Sequence, residues 1–288
     1  MNGTPELRPL GNALGMEAIG IDLSKPIDDA TFRWIDEAFA ANPVLVFRNQ
    51  NLDAAQLLTF AQHFGAPQEH ILKKYRHPDH PTVSYISNVA PDGSIDLVAN
   101  ERATAWHADE TYNEKLPRLA MLHAKEVTSE KGGTMFADMR AAYAALPEAW
   151  KAKITGRTGT HRWLAGPARS WAFYRVTQEE AMANPERYHP AVLRHPVTSQ
   201  PVLFVNPSHQ TGFIGIDLEE GERLVAEISD FATQDRFTYY HRWQVGDLLI
   251  WDELATMHKG AGDAPPLDRR IMLRTIIHPE TQPLAYAA

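Results

Sequence analysis

Two hydrophobic periods alternate along this chain. From Ile27 to Ala40 apolar residues recur at helical spacing, with Phe32, Ile35 and Phe39 on one stripe behind Asp28 or Asp29 as a cap, which predicts an amphipathic helix. A second helix is signalled at Asp53. Gln56 three residues on completes a capping box, Leu57, Phe60 and Phe64 form the stripe, and Gly65 can close the end. Met139 to Leu146, stopped by Pro147, and Glu219 to Thr233, with Leu224, Ile228 and Phe231 on one face, read as two more. Elsewhere the pattern shifts to a period of two or to short apolar runs. Pro43 to Phe47, Thr82 to Val89, Leu119 to Val127, Pro201 to Asn206, Arg236 to Gln244, Asp247 to Trp251 and Arg269 to His278 are predicted strands. Helices gather early and strands dominate the second half without regular strand–helix alternation, which disfavours a doubly wound parallel sheet. The pattern predicts an α+β chain: a double-layered roll of mostly antiparallel strands with helices packed outside.

Composition narrows the chemistry. The 288 residues carry 28 basic and 36 acidic side chains, a net charge of −8, which argues against a nucleic-acid groove. No repeat or long linker divides the chain, so residues 1–288 are expected to form a single domain. Cysteine is absent, so no disulfide framework, thiolate metal site or cysteine nucleophile is available, and any metal must be held by His, Asp or Glu. The longest apolar stretches fall far short of the ~20 residues needed to span a bilayer, and no signal peptide is recognisable. A cytoplasmic protein without membrane partners is expected.

The segment Trp106-His107-Ala108-Asp109 offers candidate chemistry. In extended backbone, residues two apart point the same way, so His107 and Asp109 can present an imidazole and a carboxylate to one point. A second histidine from elsewhere would complete a facial triad and leave about three positions of an octahedral ion open, a set suited to Fe(II). A chain with 13 histidines yields roughly one His-x-Asp by chance, so spacing alone is weak. The other such motif, His77-Pro78-Asp79, lies in a proline-flanked stretch that reads as a surface loop.

Further segments occur in a telling order: Val44-Leu45-Val46-Phe47-Arg48, Phe60-Ala61-Gln62-His63-Phe64-Gly65, the His107 motif, Gly132-Gly133-Thr134 and Asp138-Met139-Arg140-Ala141-Ala142-Tyr143. An apolar strand then leads through Trp251-Asp252 to His258, and the alternating strand carrying Arg270 and Arg274 follows. In this series the chain resembles the taurine dioxygenase/2,4-dichlorophenoxyacetate dioxygenase family of Fe(II)- and 2-oxoglutarate-dependent oxygenases, over about residues 10 to 280. The resemblance implies a double-stranded β-helix (jelly-roll, cupin-like) core with flanking helices, and His107, Asp109 and His258 as ligands of Fe(II). It also implies 2-oxoglutarate and dioxygen as co-substrates, a small anionic organic substrate, and a homo-oligomer.

Arg270 and Arg274 are four apart on one strand, hence on one face and ~13 Å apart at about 3.3 Å per residue, a spacing that serves two anions rather than one. By the resemblance, Arg270 with the Thr134 hydroxyl takes the distal carboxylate of 2-oxoglutarate, and Arg274 takes the anionic head of the substrate. The resemblance also points to His70 and His161 as substrate contacts; a solvated loop histidine is the plain alternative for His70. Lys73, Lys74 and Tyr75 read as a wet basic loop, and Pro91 to Thr104 as a mobile lid. Where many relatives have Trp-Asp-Asn-Arg, this chain has Trp251-Asp252-Glu253-Leu254, which alters the surroundings of the metal ligands. The activity implied is hydroxylation of a carboxylate or sulfonate, aryloxyalkanoates included, with succinate and carbon dioxide as co-products. Alternatives are the same chemistry on an amino acid or its derivative in biosynthesis, a metal-dependent hydrolase, or a non-catalytic anion-binding protein.

Overall fold

The computed structural model describes residues 4–70, 73–100, 103–166, 179 and 184–279. In chain order, strands β1 (Glu6–Pro9) and β2 (Met16–Ile19) precede helix α1 (Asp29–Ala41), strand β3 (Val44–Phe47) and helix α2 (Ala54–Ala61). Strands β4 (Ala66–Gln68) and β5 (Ser84–Ser87), the single-turn helix α3 (Leu97–Asn100), and strands β6 (Leu119–Glu126) and β7 (Thr134–Asp138) follow. Next come helices α4 (Met139–Ala145) and α5 (Glu148–Ile154), then strands β8 (Thr158–His161), β9 (Arg187–Pro190), β10 (Val192–Arg194), β11 (Pro201–Leu203) and β12 (Gln210–Phe213). Helix α6 (Leu218–Ala232) leads into β13 (Thr238–His241), β14 (Leu248–Asp252), β15 (Thr256–Gly260) and β16 (Ile271–His278).

The larger sheet runs β1-β2-β3-β14-β6-β16-β4, with β5 also paired to β16. A smaller sheet, β13-β7-β15, faces it, and its pairings are antiparallel throughout. Strand β3 shows why the central strands read as continuous apolar runs. Leu45 and Phe47 pack on one side with α1 and α2, through Ile35, Phe39, Leu57 and Phe60, while Val44 and Val46 face the interior between the sheets. Strands β14, β6 and β16 sort the same way: Ile250, Met121 and Leu273 to the helix side, Leu249, Leu122 and Met272 to the inner side. Burying both faces removes the polar alternation of a half-exposed strand. Each large side chain so buried contributes roughly 1.5–3 kcal/mol before entropy. A third core gathers α4, α6, β10 and β11.

The predicted caps form. The Asp28 side chain accepts from Thr31 N–H, and Asp53 and Gln56 make both halves of the capping box. Gly65 does more than close a helix: a Cβ there would lie 2.5 Å from the His278 carbonyl oxygen, so the glycine admits the close approach of β16. The strand expected over Arg236 to Gln244 starts later, because Asp235–Phe237 forms a 3₁₀ turn. No helix among the described residues is long and apolar enough to cross a membrane.

Candidate metal and co-substrate centre

Backbone pairing brings two imidazoles together. His107 and His258 form an isolated antiparallel bridge at the free edge of β15, with His107 N–H donating to the His258 carbonyl (3.0 Å) and His258 N–H to that of His107 (2.7 Å). Directly opposed residues project to the same face, and the two rings lie 4.3 Å apart between centroids. Asp109 follows two residues on, and ligand atoms of His107, Asp109 and His258 all lie within 4.8 Å of one another. The turn beyond is held in an unusual conformation. Glu110 has φ +56, and its carboxylate accepts from His278 Nε2 (2.9 Å) and Asn113 Nδ2 (3.2 Å). His258 reaches this point through a tight turn after β14. Asp252 accepts Leu254 N–H and Ala255 N–H on one oxygen and His195 Nε2–H on the other, all at 2.9–3.0 Å.

The donor set fits a divalent cation. His107 Nδ1 donates to the Ala105 carbonyl (2.8 Å), which leaves Nε2 as the ring nitrogen facing Asp109 Oδ1 (3.7 Å). Burial, then the neighbouring His107, draws the His258 pKa down to about 3, so its ring is neutral near pH 7, and its Nδ1 is buried without a partner. Burial alone would raise the Asp109 carboxyl. Arg274 and the surrounding histidines outweigh it and hold the pKa at about 2. Two imidazole nitrogens and one carboxylate oxygen are a recognised donor set for Fe(II) with open positions.

Arg270 and Thr134 each keep a polar group without an anionic partner among the described residues. The Arg270 guanidinium has no carboxylate partner among the described residues, its Nε is buried without a hydrogen bond, and burial alone draws its pKa down to about 10. Thr134 is buried at the start of β7, where Gly132-Gly133 has a steric purpose: a Cβ on Gly133 would collide with the Tyr240 ring, and one on Gly132 with the Thr128 hydroxyl. Arg274, on the same face of β16 as Met272, donates to Asp109 Oδ2 at 3.1 Å, and its Nε is buried without a partner. An arginine fork has five donors, so this pairing leaves others for a second anion beside Asp109.

His70 and His161 differ in their surroundings. The His70 ring packs edge-on against Tyr75 at 5.5 Å, and its carbonyl accepts from Arg76 Nε. His161 is fully buried against His189 and Phe204, with both ring nitrogens unpartnered. His77 stacks on Tyr85, and Asp79 beside it is exposed. Of the expected lid, residues 101–102 lie outside the described residues, and Leu97–Asn100 is helical.

Two further residues border the centre. His209 is buried beside His107 and Tyr112. Its Nδ1 accepts from Leu164 N–H (3.1 Å), which puts the proton on Nε2, and burial, then His107, draws its pKa to about 3. Glu253 accepts Asp109 N–H on Oε2 (2.8 Å). The Glu253 position shows in the sequence as a departure from the related pattern, whereas His209, a lone histidine after a proline and a serine, carries no such signal.

Residues 6–276 match the family model for the taurine catabolism dioxygenase TauD, TfdA family. The chain is 34% identical over 262 residues to an alpha-ketoglutarate-dependent 2,4-dichlorophenoxyacetate dioxygenase of Cupriavidus pinatubonensis, covering 86% of this chain and 88% of that one. It is 31% identical over 278 residues to an (S)-phenoxypropionate/alpha-ketoglutarate-dioxygenase of Delftia acidovorans, covering 90% of each. The crystal structure of AAD-2 in complex with Mn(II) and N-oxalylglycine superposes with a TM-score of 0.85 at 28% identity, over 99% of this chain and all of that one. A jelly-roll core with flanking helices, a His-Asp-His cluster and these relatives agree: the chain belongs to the TauD/TfdA family and is an Fe(II)- and 2-oxoglutarate-dependent dioxygenase.

Proposed function

We propose that the enzyme hydroxylates a small organic carboxylate of the aryloxyalkanoate type, yielding succinate and carbon dioxide as co-products. In this reading His107, Asp109 and His258 hold the iron, Arg270 and Thr134 take the distal carboxylate of 2-oxoglutarate, and Arg274 takes the carboxylate of the substrate. The carrying observation is the convergence of three ligand atoms within 4.8 Å, together with an arginine just before β16, Arg270, that no carboxylate among the described residues neutralises. The dichlorophenoxyacetate and phenoxypropionate activities named for the relatives support the substrate class.

Iron with 2-oxoglutarate and dioxygen supplies the oxidation; the protein's part is placement. Arg274 stays tied to Asp109 while its unused donors meet the substrate anion, so the head group is drawn against the metal ligands and the neighbouring C–H bonds become the nearest ones. The His209 Nε2–H is a second donor at the same edge. Trp251 and Phe136, packed around His258, keep water from that side. His70 and His161 belong to this proposal as outer substrate contacts, His161 through ring nitrogens that no other group occupies. A single domain over 1–288, acting as a cytoplasmic homo-oligomer without nucleic-acid or membrane partners, completes it. The family match over 6–276 supports the first part and the acidic charge balance the nucleic-acid part.

Anaerobic Fe(II) and 2-oxoglutarate are expected to give a weak visible charge-transfer band that His107→Ala abolishes. Aryloxyalkanoates, sulfonates, sulfate esters and amino acids are then screened for substrate-dependent succinate. Succinate with aryloxyalkanoates, and a KM raised about 10- to 100-fold in Arg274→Ala, support the proposal. Turnover of amino acids alone replaces the substrate class. Absence of the band, with no succinate from any acid, leaves a hydrolase or an anion-binding protein.

A further inference from the structure

Thr134 is locked from behind. Trp243 Nε1 donates to Thr134 Oγ1 at 3.0 Å, and both residues are buried. Their placement follows from strand alternation. Tyr239, His241 and Trp243 point inward along β13 and its extension while Tyr240 and Arg242 are exposed, and Thr134 lies opposite His241 in the β7 register. Indole is a donor only, so the threonine oxygen must be the acceptor, and its single O–H proton is left for something else. No acceptor for that proton exists among the described residues.

The indole is held in turn. The His241 ring meets it edge to face at 4.5 Å, and His241 is fixed at both nitrogens: Tyr239 O–H donates to Nδ1 (2.9 Å) and Nε2–H donates to Asp247 Oδ2 (3.1 Å). The same carboxylate takes Arg48 and Gln244 N–H. A buried chain therefore runs from the Arg48–Asp247 ion pair through His241 and Trp243 to one hydroxyl.

We propose that Trp243 is a positioning residue for the keto-acid co-substrate: its N–H occupies a Thr134 lone pair and so aims the Thr134 proton at the distal carboxylate that Arg270 binds. This rests on the reading of Thr134 and Arg270 as the distal-carboxylate site. The indole touches no co-substrate atom; it acts through the hydroxyl, and its effect is confined to keto acids with a second carboxylate.

The test is calorimetric titration of the anaerobic Fe(II)-loaded protein with 2-oxoglutarate, and with pyruvate, which has no distal carboxylate. Thr134→Val and Trp243→Phe are each expected to weaken 2-oxoglutarate binding about 5- to 10-fold and to leave pyruvate within about two-fold. The double variant is expected to bind no worse than Thr134→Val alone, because the two side chains act as one unit. Trp243→His, which keeps a ring N–H, is expected to recover part of the loss and provides a second measurement if Trp243→Phe does not fold. A Trp243→Phe protein that binds 2-oxoglutarate like the parent, loses pyruvate equally, or combines multiplicatively with Thr134→Val overturns the role of Trp243 while Thr134 keeps its own. Unchanged 2-oxoglutarate affinity in Thr134→Val removes the distal-carboxylate reading itself, and the inference with it.

Discussion

Glu253 holds Asp109 by its backbone rather than by its side chain. It accepts the Asp109 N–H at 2.8 Å, is 1% exposed, and its other oxygen is buried without a partner. Burial first, and the Asp109 carboxylate second, push the Glu253 acid well above the ordinary carboxylate range. A carboxyl that keeps its proton is uncharged, like the asparagine amide of the related pattern, and can still accept the Asp109 N–H. A group whose native pKa is raised contributes stability that is full below its unfolded pKa and fades as pH rises through the native value. Glu253→Gln is therefore expected to melt increasingly above the parent as the metal-free protein is taken from pH 5 to pH 8, with metal affinity kept. Glu253→Ala leaves the Asp109 N–H unpaired and is expected to cost about 1–3 kcal/mol at any pH, read by denaturant melts. Equal pH profiles for parent and Glu253→Gln would show that the buried acid ionises without penalty.

Asn88, just beyond β5, joins the turn of α3 to the run that leads into Arg270 and β16. Its side-chain carbonyl accepts Arg270 N–H (2.8 Å), and its amide donates to Asn100 Oδ1 (2.9 Å) and to the Asp268 carbonyl (2.7 Å). Its own carbonyl accepts Asp96 N–H (2.8 Å), and Asn100 reaches the Pro266 carbonyl (3.1 Å). The turn of α3 and the run leading to Arg270 are thus held against each other, with each bond worth about 1 kcal/mol. Asn88→Ala is expected to speed amide exchange across Asp96–Asn100 by about 10- to 100-fold and to weaken 2-oxoglutarate several-fold. Unchanged exchange would place the restraint elsewhere. Legibility differs sharply between elements. Strands β3, β6, β14 and β16 are readable because burial on both faces demands unbroken Val, Leu, Ile and Met. Strands β8, β9 and β12, with sequences Thr-Gly-Thr-His, Arg-Tyr-His-Pro and Gln-Thr-Gly-Phe, bury too few large side chains to show a period. Strand β15 is concealed for another reason. The turn made by Asp252 side-chain bonds lies inside an apolar run, so the segment up to His258 reads as one strand although it is two.

At the level of the whole molecule, the triad was legible because His107-x-Asp109 and the segment around His258 keep their order and spacing, but the histidine content of the interior was not. Burial turns a residue type that usually titrates near neutrality into a fixed neutral group, and no local pattern announces it. Six of the 13 histidines, His123, His161, His189, His209, His241 and His258, are shifted below their ordinary value, with burial the largest cause in each. They are spread from the helix-side core to the metal centre, so their effect is global. For a histidine with a depressed native pKa, the unfolded chain binds the extra proton, and stability falls as pH drops from about 6.5, the unfolded value, toward the native one. His209 and His258, at about 3, act over that entire window. The metal-free protein is therefore expected to lose about 1.4 kcal/mol per pH unit for each proton taken up on unfolding, measured by urea melts between pH 7.5 and pH 5. Fe(II) under anaerobic conditions adds a further requirement. An ion at 100 times its dissociation constant stabilises by about 2.7 kcal/mol, and His258→Ala is expected to abolish that gain. The same substitution removes one buried imidazole, so its metal-free form is also expected to show a shallower acid slope than the parent. A variant that loses the metal stabilisation yet keeps the parent's full slope would mean that residue 258 binds the ion without being held neutral by the fold.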